Sequence, residues 1–227
     1  MNRTFEEDLD KLRTRLIRMG SLVEEQVEFA FRALREGNQE LAQIVIDRDD
    51  KVDKLDLKID KQCQRIFALN QPVATDLRLL LSAMKINNEL ERIGDMATNI
   101  ASIVVVSPNA VQLANQIDMN RIANAAYTML KSSLDAFINN DPELAAHVLP
   151  SDFTVDQLYD TLRNELIEIM IADSTLVADG AQLLLGLYNL ERMADHATNI
   201  AENVIFLAEA KLVRHRSVND EGLGSND

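Results

Sequence analysis

The stretch Leu90-Glu91-Arg92-Ile93-Gly94-Asp95-Met96-Ala97-Thr98-Asn99-Ile100-Ala101 returns 100 residues later as Leu190-Glu191-Arg192-Met193-Ala194-Asp195-His196-Ala197-Thr198-Asn199-Ile200-Ala201. Self-similarity at a fixed offset marks a duplicated structural unit. A weaker echo lies upstream. Glu40-Leu41-Ala42 matches Glu143-Leu144-Ala145, and Asp49, Val52, Asp53 and Leu55 match Asp152, Val155, Asp156 and Leu158, now at an offset of 103. The difference implies that the second copy has lost three residues ahead of its last helix.

Apolar spacing inside the repeat is helical. Ala83, Ile86, Leu90, Ile93, Ala97, Ile100 and Val104 alternate steps of three and four, and Leu183, Gly186, Leu190, Met193, Ala197, Ile200, Val204 and Leu207 do the same, which puts each set on one seam of a bundle. Seven glycines, four prolines and 4% aromatics leave few turn or strand formers. The reading is all-α, with two tandem, pseudo-symmetric three-helix bundles and six long helices.

Punctuation sets the boundaries. Thr4 with Glu7 forms a capping box for the first helix and Gly37-Asn38 ends it. The second helix is predicted from about Gln39 to Asn70, and Pro72 precedes a third that runs to about Val106. Pro108 and the polar residues through Gln116 read as a connector between a first unit, 1–107, and a second, 117–216. The second unit starts near Asp118, breaks at Asn139-Asn140 and Leu149-Pro150, breaks again around Asp173–Gly180, and its final helix is predicted to reach about His215. Residues 217–227 have little to bury and are expected to be disordered.

Charge narrows the function. A net charge of −14 opposes nucleic acid, whose phosphates are gripped mainly by Lys and Arg, and favours cations or basic protein patches. One cysteine, Cys63, cannot close an intramolecular disulfide, and no N-terminal stretch resembles a signal peptide, so a reducing cytoplasm is expected. No apolar run approaches the length of a membrane span.

With Ala83 and Leu90 on the seam, Glu91, Asp95 and Asn99 fall on outward positions four residues apart, a stripe of oxygen ligands, and Glu191, Asp195 and Asn199 form a second. The second helices add Asp49 with Asp53 and Asp152 with Asp156, and Asp56 and Asp60 extend the first row. Like charges four apart repel by a few tenths of a kcal/mol, roughly, and bound cations would remove that penalty. Acidic stripes on adjacent helices make an open, oxygen-rich metal platform. The competing reading is an ordinary solvated acidic face.

A buried di-iron centre requires Glu-x-x-His on inward positions, and neither Glu91 nor Glu191 has a histidine three residues on. His196 could add a nitrogen ligand but reads more simply as a surface histidine. Cys63 reads as core. Lys211, Arg214, His215 and Arg216 form a basic cluster that the dipole at a helix end explains.

These motifs, together with Gln71-Pro72-Val73-Ala74-Thr75-Asp76-Leu77-Arg78, resemble the PhoU family over nearly the whole chain through about Leu207. The resemblance implies two three-helix bundles in tandem and a Glu/Asp-x-x-x-Asp signature that in some members holds iron or zinc clusters at the surface. It falls here on Glu91 with Asp95, Glu191 with Asp195, Asp49 with Asp53 and Asp152 with Asp156. Met96 departs from the histidine that often follows the aspartate, while His196 keeps it.

The resemblance also implies a non-enzymatic, negative regulator of phosphate uptake and the phosphate-starvation response. Such an adaptor contacts the ATPase subunit of the phosphate ABC transporter and a sensor histidine kinase. A homodimer is implied too, and membrane association only through partners. Two other readings compete: a metal-dependent hydrolase holding two cations near a phosphoester, which lacks an evident general base, and a metal-free structural dimerisation bundle.

Overall fold

A computed structural model describes residues 3–211 and 213. Described residues form helices joined by short turns: α1 (Arg3–Glu36), α2 (Gln39–Leu69), α3 (Ala74–Val106), α4 (Ala110–Gln116), α5 (Asn120–Asn139), α6 (Pro142–Val148), α7 (Asp152–Ala172) and α8 (Val177–Glu209). The six long ones make two tandem three-helix bundles.

The local causes are those the sequence offers. Gly37 takes φ 65° to end α1, a left-handed conformation cheap only without a Cβ. Asn38 then caps α2, its side chain accepting from the Leu41 amide at 2.9 Å. Asn140, at φ 53°, closes α5, and Asp141 accepts from the Glu143 and Leu144 amides to open α6.

Pro150 lacks an N–H and turns the chain through a 3-10 step at Leu149–Ser151. The offset of 103 maps Gln39 onto Pro142 and Leu69 onto Ala172, so α6 and α7 together are the interrupted counterpart of α2.

Two departures from expectation have clear reasons. The connector is partly helical: α4 buries Ala110, Leu113 and Ala114, apolar residues spaced three and four apart within a mostly polar segment. And α8 stops at Glu209, where Ala210 turns left-handed at φ 59°, instead of near His215. Past Leu207 the next seam positions are Lys211 and Arg214, so continued helix would bury nothing. The chain is already helical at Arg3, one residue ahead of the expected cap at Thr4. The expected disorder of 217–227, and Arg214, His215 and Arg216, lie outside the described residues.

α3 and α8 form the spine, packed on one another, with α1 and α2 on α3 and with α5, α6 and α7 on α8. The predicted seam residues from Ala83 to Val104 are all essentially inaccessible. Each buried leucine or isoleucine contributes about 1.5–3 kcal/mol. Gly186 lies where α8 crosses α3, and a Cβ there would come within 2.8 Å of Ile103. Among the described residues no single helix is long and apolar enough to cross a membrane.

Candidate metal centre

Gly94 decides how closely α2 approaches α3. Its missing Cβ would sit 3.3 Å from Cγ1 of Val52, which is buried on α2. Asp49 and Asp53, flanking Val52 on that face, are thereby brought to Asp95. Asp49, Asp53 and Asp95 each present a carboxylate oxygen, and these atoms all lie within 4.8 Å of one another. Glu91 is half-buried one turn away.

The cations nearby do not offset this concentration of charge. Arg92 lies 3.5 Å from Glu91 and 4.0 Å from Asp95. Yet burial, followed by the Asp49 charge, raises the Asp95 carboxyl above its usual range despite Arg92. Glu91 is raised by burial and then by Asp95, Asp56 and Asp53, again against Arg92. Carboxyls in this state favour a bound cation, which relieves desolvation and repulsion together.

The second copy gathers acids between α7 and α8 less tightly: among the described residues, no three of Asp152, Asp156, Glu191 and Asp195 bring their carboxylate oxygens as close together as Asp49, Asp53 and Asp95 do. Burial, then the charges of Asp195, Asp156 and Asp152, push Glu191 up to about 7, with Arg192 opposing. Asp156 is raised by burial and then by Asp195 and Asp160. Oε2 of Glu191 is buried and accepts no hydrogen bond, an orphaned acceptor of the kind a cation satisfies. Here Ala194 stands where Gly94 does in the first copy. The first set, Asp49, Asp53 and Asp95 with Glu91 one turn away, fits a hard or borderline cation, and the second offers the same carboxylate chemistry without that convergence.

Not every predicted ligand joins these sets. The Asn199 amide donates to Oε2 of Glu89 on α3 at 3.2 Å, and Asn99 lines a groove with Gln182, Leu185, Tyr188 and Asn189 of α8. Residues four apart drift about 40° around a helix. The two-step stripe from Glu91 to Asn99 therefore rotates from α2 toward α8, which is why one outward face does not contain all three.

Asp56 and Asp60 are also diverted, both accepting from Nδ2 of Asn87, at 2.6 and 3.2 Å. His196 is a buried contact between α3 and α8, not a surface residue: Nδ1 lies 2.5 Å from Glu89. Cys63 is core, with its thiol pushed up to about 12 by burial and then by Asp60, so it stays protonated and inert.

Sequence reasoning missed Gln26, buried on α1, whose Nε2 donates to Asp49 at 3.3 Å and to Thr98 at 2.9 Å. It orients one acid of the first platform. A glutamine on the apolar seam of α1, with Val23 before it and Val27 and Ala30 after it, was the available signal. Glu89 was missed because it precedes the repeated motif.

Comparison with known proteins agrees with this architecture. The profile of the PhoU domain matches residues 16–104 and again 119–204. A relative from Pseudomonas aeruginosa, named phosphate-specific transport system accessory protein PhoU homolog, is 37% identical over 222 residues, covering 95% of this chain and 89% of that protein. The crystal structure of PhoU from Pseudomonas aeruginosa superposes with a TM-score of 0.84 at 37% identity, covering 91% of this chain and all (100%) of that one. That of the phosphate transport system regulatory protein PhoU from Streptococcus pneumoniae gives 0.84 at 31%, covering 93% of this chain and 100% of that chain.

Proposed function

This chain belongs to the PhoU family, and from that premise we propose that it is a cytoplasmic negative regulator of phosphate uptake and of the phosphate-starvation response. It acts as an adaptor, contacting the ATPase subunit of a phosphate ABC transporter and a sensor histidine kinase, and it works as a homodimer that reaches the membrane through those partners. The supporting observation is near-full-length similarity to proteins named accessory or regulatory components of phosphate transport.

Metal is the second element of the reading. Asp49, Asp53, Glu91 and Asp95 would hold cations on one platform and Asp152, Asp156, Glu191 and Asp195 on the other, with iron or zinc as the ions. Bound metal would supply positive charge that neutralises two mutually repelling carboxylate sets and fixes α2 to α3 and α7 to α8. The convergence of Asp49, Asp53 and Asp95 carries this part.

Deleting the gene is expected to derepress starvation genes and uptake in phosphate-rich medium; unchanged expression and uptake would overturn the regulatory reading. A pull-down from phosphate-replete cells is expected to recover the transporter ATPase or the kinase. Elemental analysis of protein purified without chelator, against a Glu91→Gln/Asp95→Asn/Glu191→Gln/Asp195→Asn variant, tests the platforms. Equal metal content in both would overturn them.

A further inference from the structure

Five cationic side chains of this acidic molecule gather in one cleft whose lining includes none of the platform carboxylates. A cleft of about 390 Å³ between the N-terminal half of α1 and the C-terminal half of α2 is lined by Lys11 and Arg15 from one helix and by Lys58, Lys61 and Arg65 from the other. Asp8 is the one carboxylate in the lining. Five cations thus face one acid in a chain of net charge −14.

Part of the cleft is held in place. Arg15 donates to Oε1 of Gln62 at 2.6 Å, and Nε2 of Gln62 donates to the Asp8 carbonyl at 2.8 Å. The Asp8 carboxylate lies 3.9 Å from Lys11. Among the described residues Lys58, Lys61 and Arg65 have no ion-pair partner.

The chemistry of the occupant follows from what lines the cleft. Lys58 to Arg65 spans about two helical turns, roughly 10 Å, and Lys11 and Arg15 run alongside. Positive charge is spread along a line, matching an anion extended over several phosphoryl groups better than a single phosphate. No aromatic ring lines it, so a nucleobase has no surface to stack on. Its one apolar residue, Ile66, is 1% exposed, so a peptide or a lipid finds no apolar anchor.

We propose that the Lys11, Arg15, Lys58, Lys61 and Arg65 cleft binds a linear oligophosphate. Five donors neutralise charge along the chain, with Arg15 pre-positioned by Gln62. Binding here needs neither the carboxylate platforms nor the regulatory reading above.

The test is calorimetric titration of sodium tripolyphosphate into the metal-free full-length chain at near-physiological salt. One saturable site is expected, at least tenfold weaker in Lys58→Gln/Lys61→Gln. It should change less than twofold in Lys51→Gln/Lys54→Gln, which removes the same charge from α2 outside the cleft. Melting curves of both variants matching the parent keep the comparison valid, and the four side chains are exposed. Absence of saturable binding, or equal weakening in the two variants, would overturn the site. Orthophosphate, an oligo-aspartate peptide, a thymidine oligonucleotide or phosphatidylglycerol vesicles binding as tightly as tripolyphosphate would overturn the assigned ligand.

Discussion

Nδ1 of His196 on α8 donates to Oε2 of Glu89 on α3 over 2.5 Å, joining the two repeats across the spine. The same carboxylate accepts from Asn199, and Nη2 of Arg192 approaches Nε2 of the imidazole at 3.4 Å. That pattern requires the tautomer protonated at Nδ1. In the pseudo-symmetric position Met96 and Asn189 replace the pair, so only one side of the spine carries this tie.

Both side chains are largely buried, 9% and 19% exposed, and a hydrogen bond to a charged group is worth about 1.5–3 kcal/mol. His196→Ala is expected to lower stability by about 2 kcal/mol in urea unfolding. A cycle with Glu89→Ala should return a coupling of about 1 kcal/mol or more. Simple additivity would show that the two side chains merely pack.

Glu191 makes the metal-free protein sensitive to pH. Its carboxyl is raised in the folded state to about 7 from 4.5, so the folded chain holds this proton more tightly than the unfolded chain does. The group costs nothing below about pH 4.5; its cost grows as pH rises to about 7 and is constant above. Because the residue as a whole is only partly buried, solvent screening reduces the effect to about 1 kcal/mol. Glu191→Gln is therefore expected to raise the melting temperature of metal-free protein at pH 8 by about 2–4 °C and to leave it nearly unchanged at pH 4.

Metal binding at the second platform inherits the opposite dependence. A cation must displace the Glu191 proton when pH is below about 7, so affinity should fall by up to about tenfold per pH unit there and level off above. Zinc titration of an Asp49→Asn/Asp95→Asn variant isolates this platform. Affinity independent of pH between 5 and 7, roughly, would remove Glu191 from the ligand set.

Gly94→Ala should separate folding from site geometry. Alanine gains about 1 kcal/mol in helix propensity, while its methyl would stand 3.3 Å from Val52 and push α2 outward by a few tenths of an ångström. Melting is expected to change by less than about 3 °C. Zinc affinity of the first platform should drop several-fold, as α2 carries Asp49 and Asp53 away from Asp95. Unaltered affinity would show that interhelical spacing does not set the site.

Duplication, the helical seams and the breaks between the six long helices could be read directly, because they depend on spacing, capping residues and prolines that act within a few residues of themselves, whereas α4 and the end of α8 could not. Gly37, Asn140 and Pro150 each did in the fold what their local chemistry dictates. The pairing of Asp49 and Asp53 with Asp95 was legible as a pattern of acids, but the distance between them depends on one missing methyl group at Gly94.

Where a polar side chain turns was settled only by its neighbours in space. Asn199 and His196 go to Glu89, Asp56 and Asp60 to Asn87, and Lys58 and Lys61 share a cleft with Arg15 from a helix more than forty residues earlier. Sequence fixes a residue's angle on its own helix. Which helix lies opposite, and at what depth, is a property of packing, and hydrogen bonds and charge clusters form only once those surfaces meet.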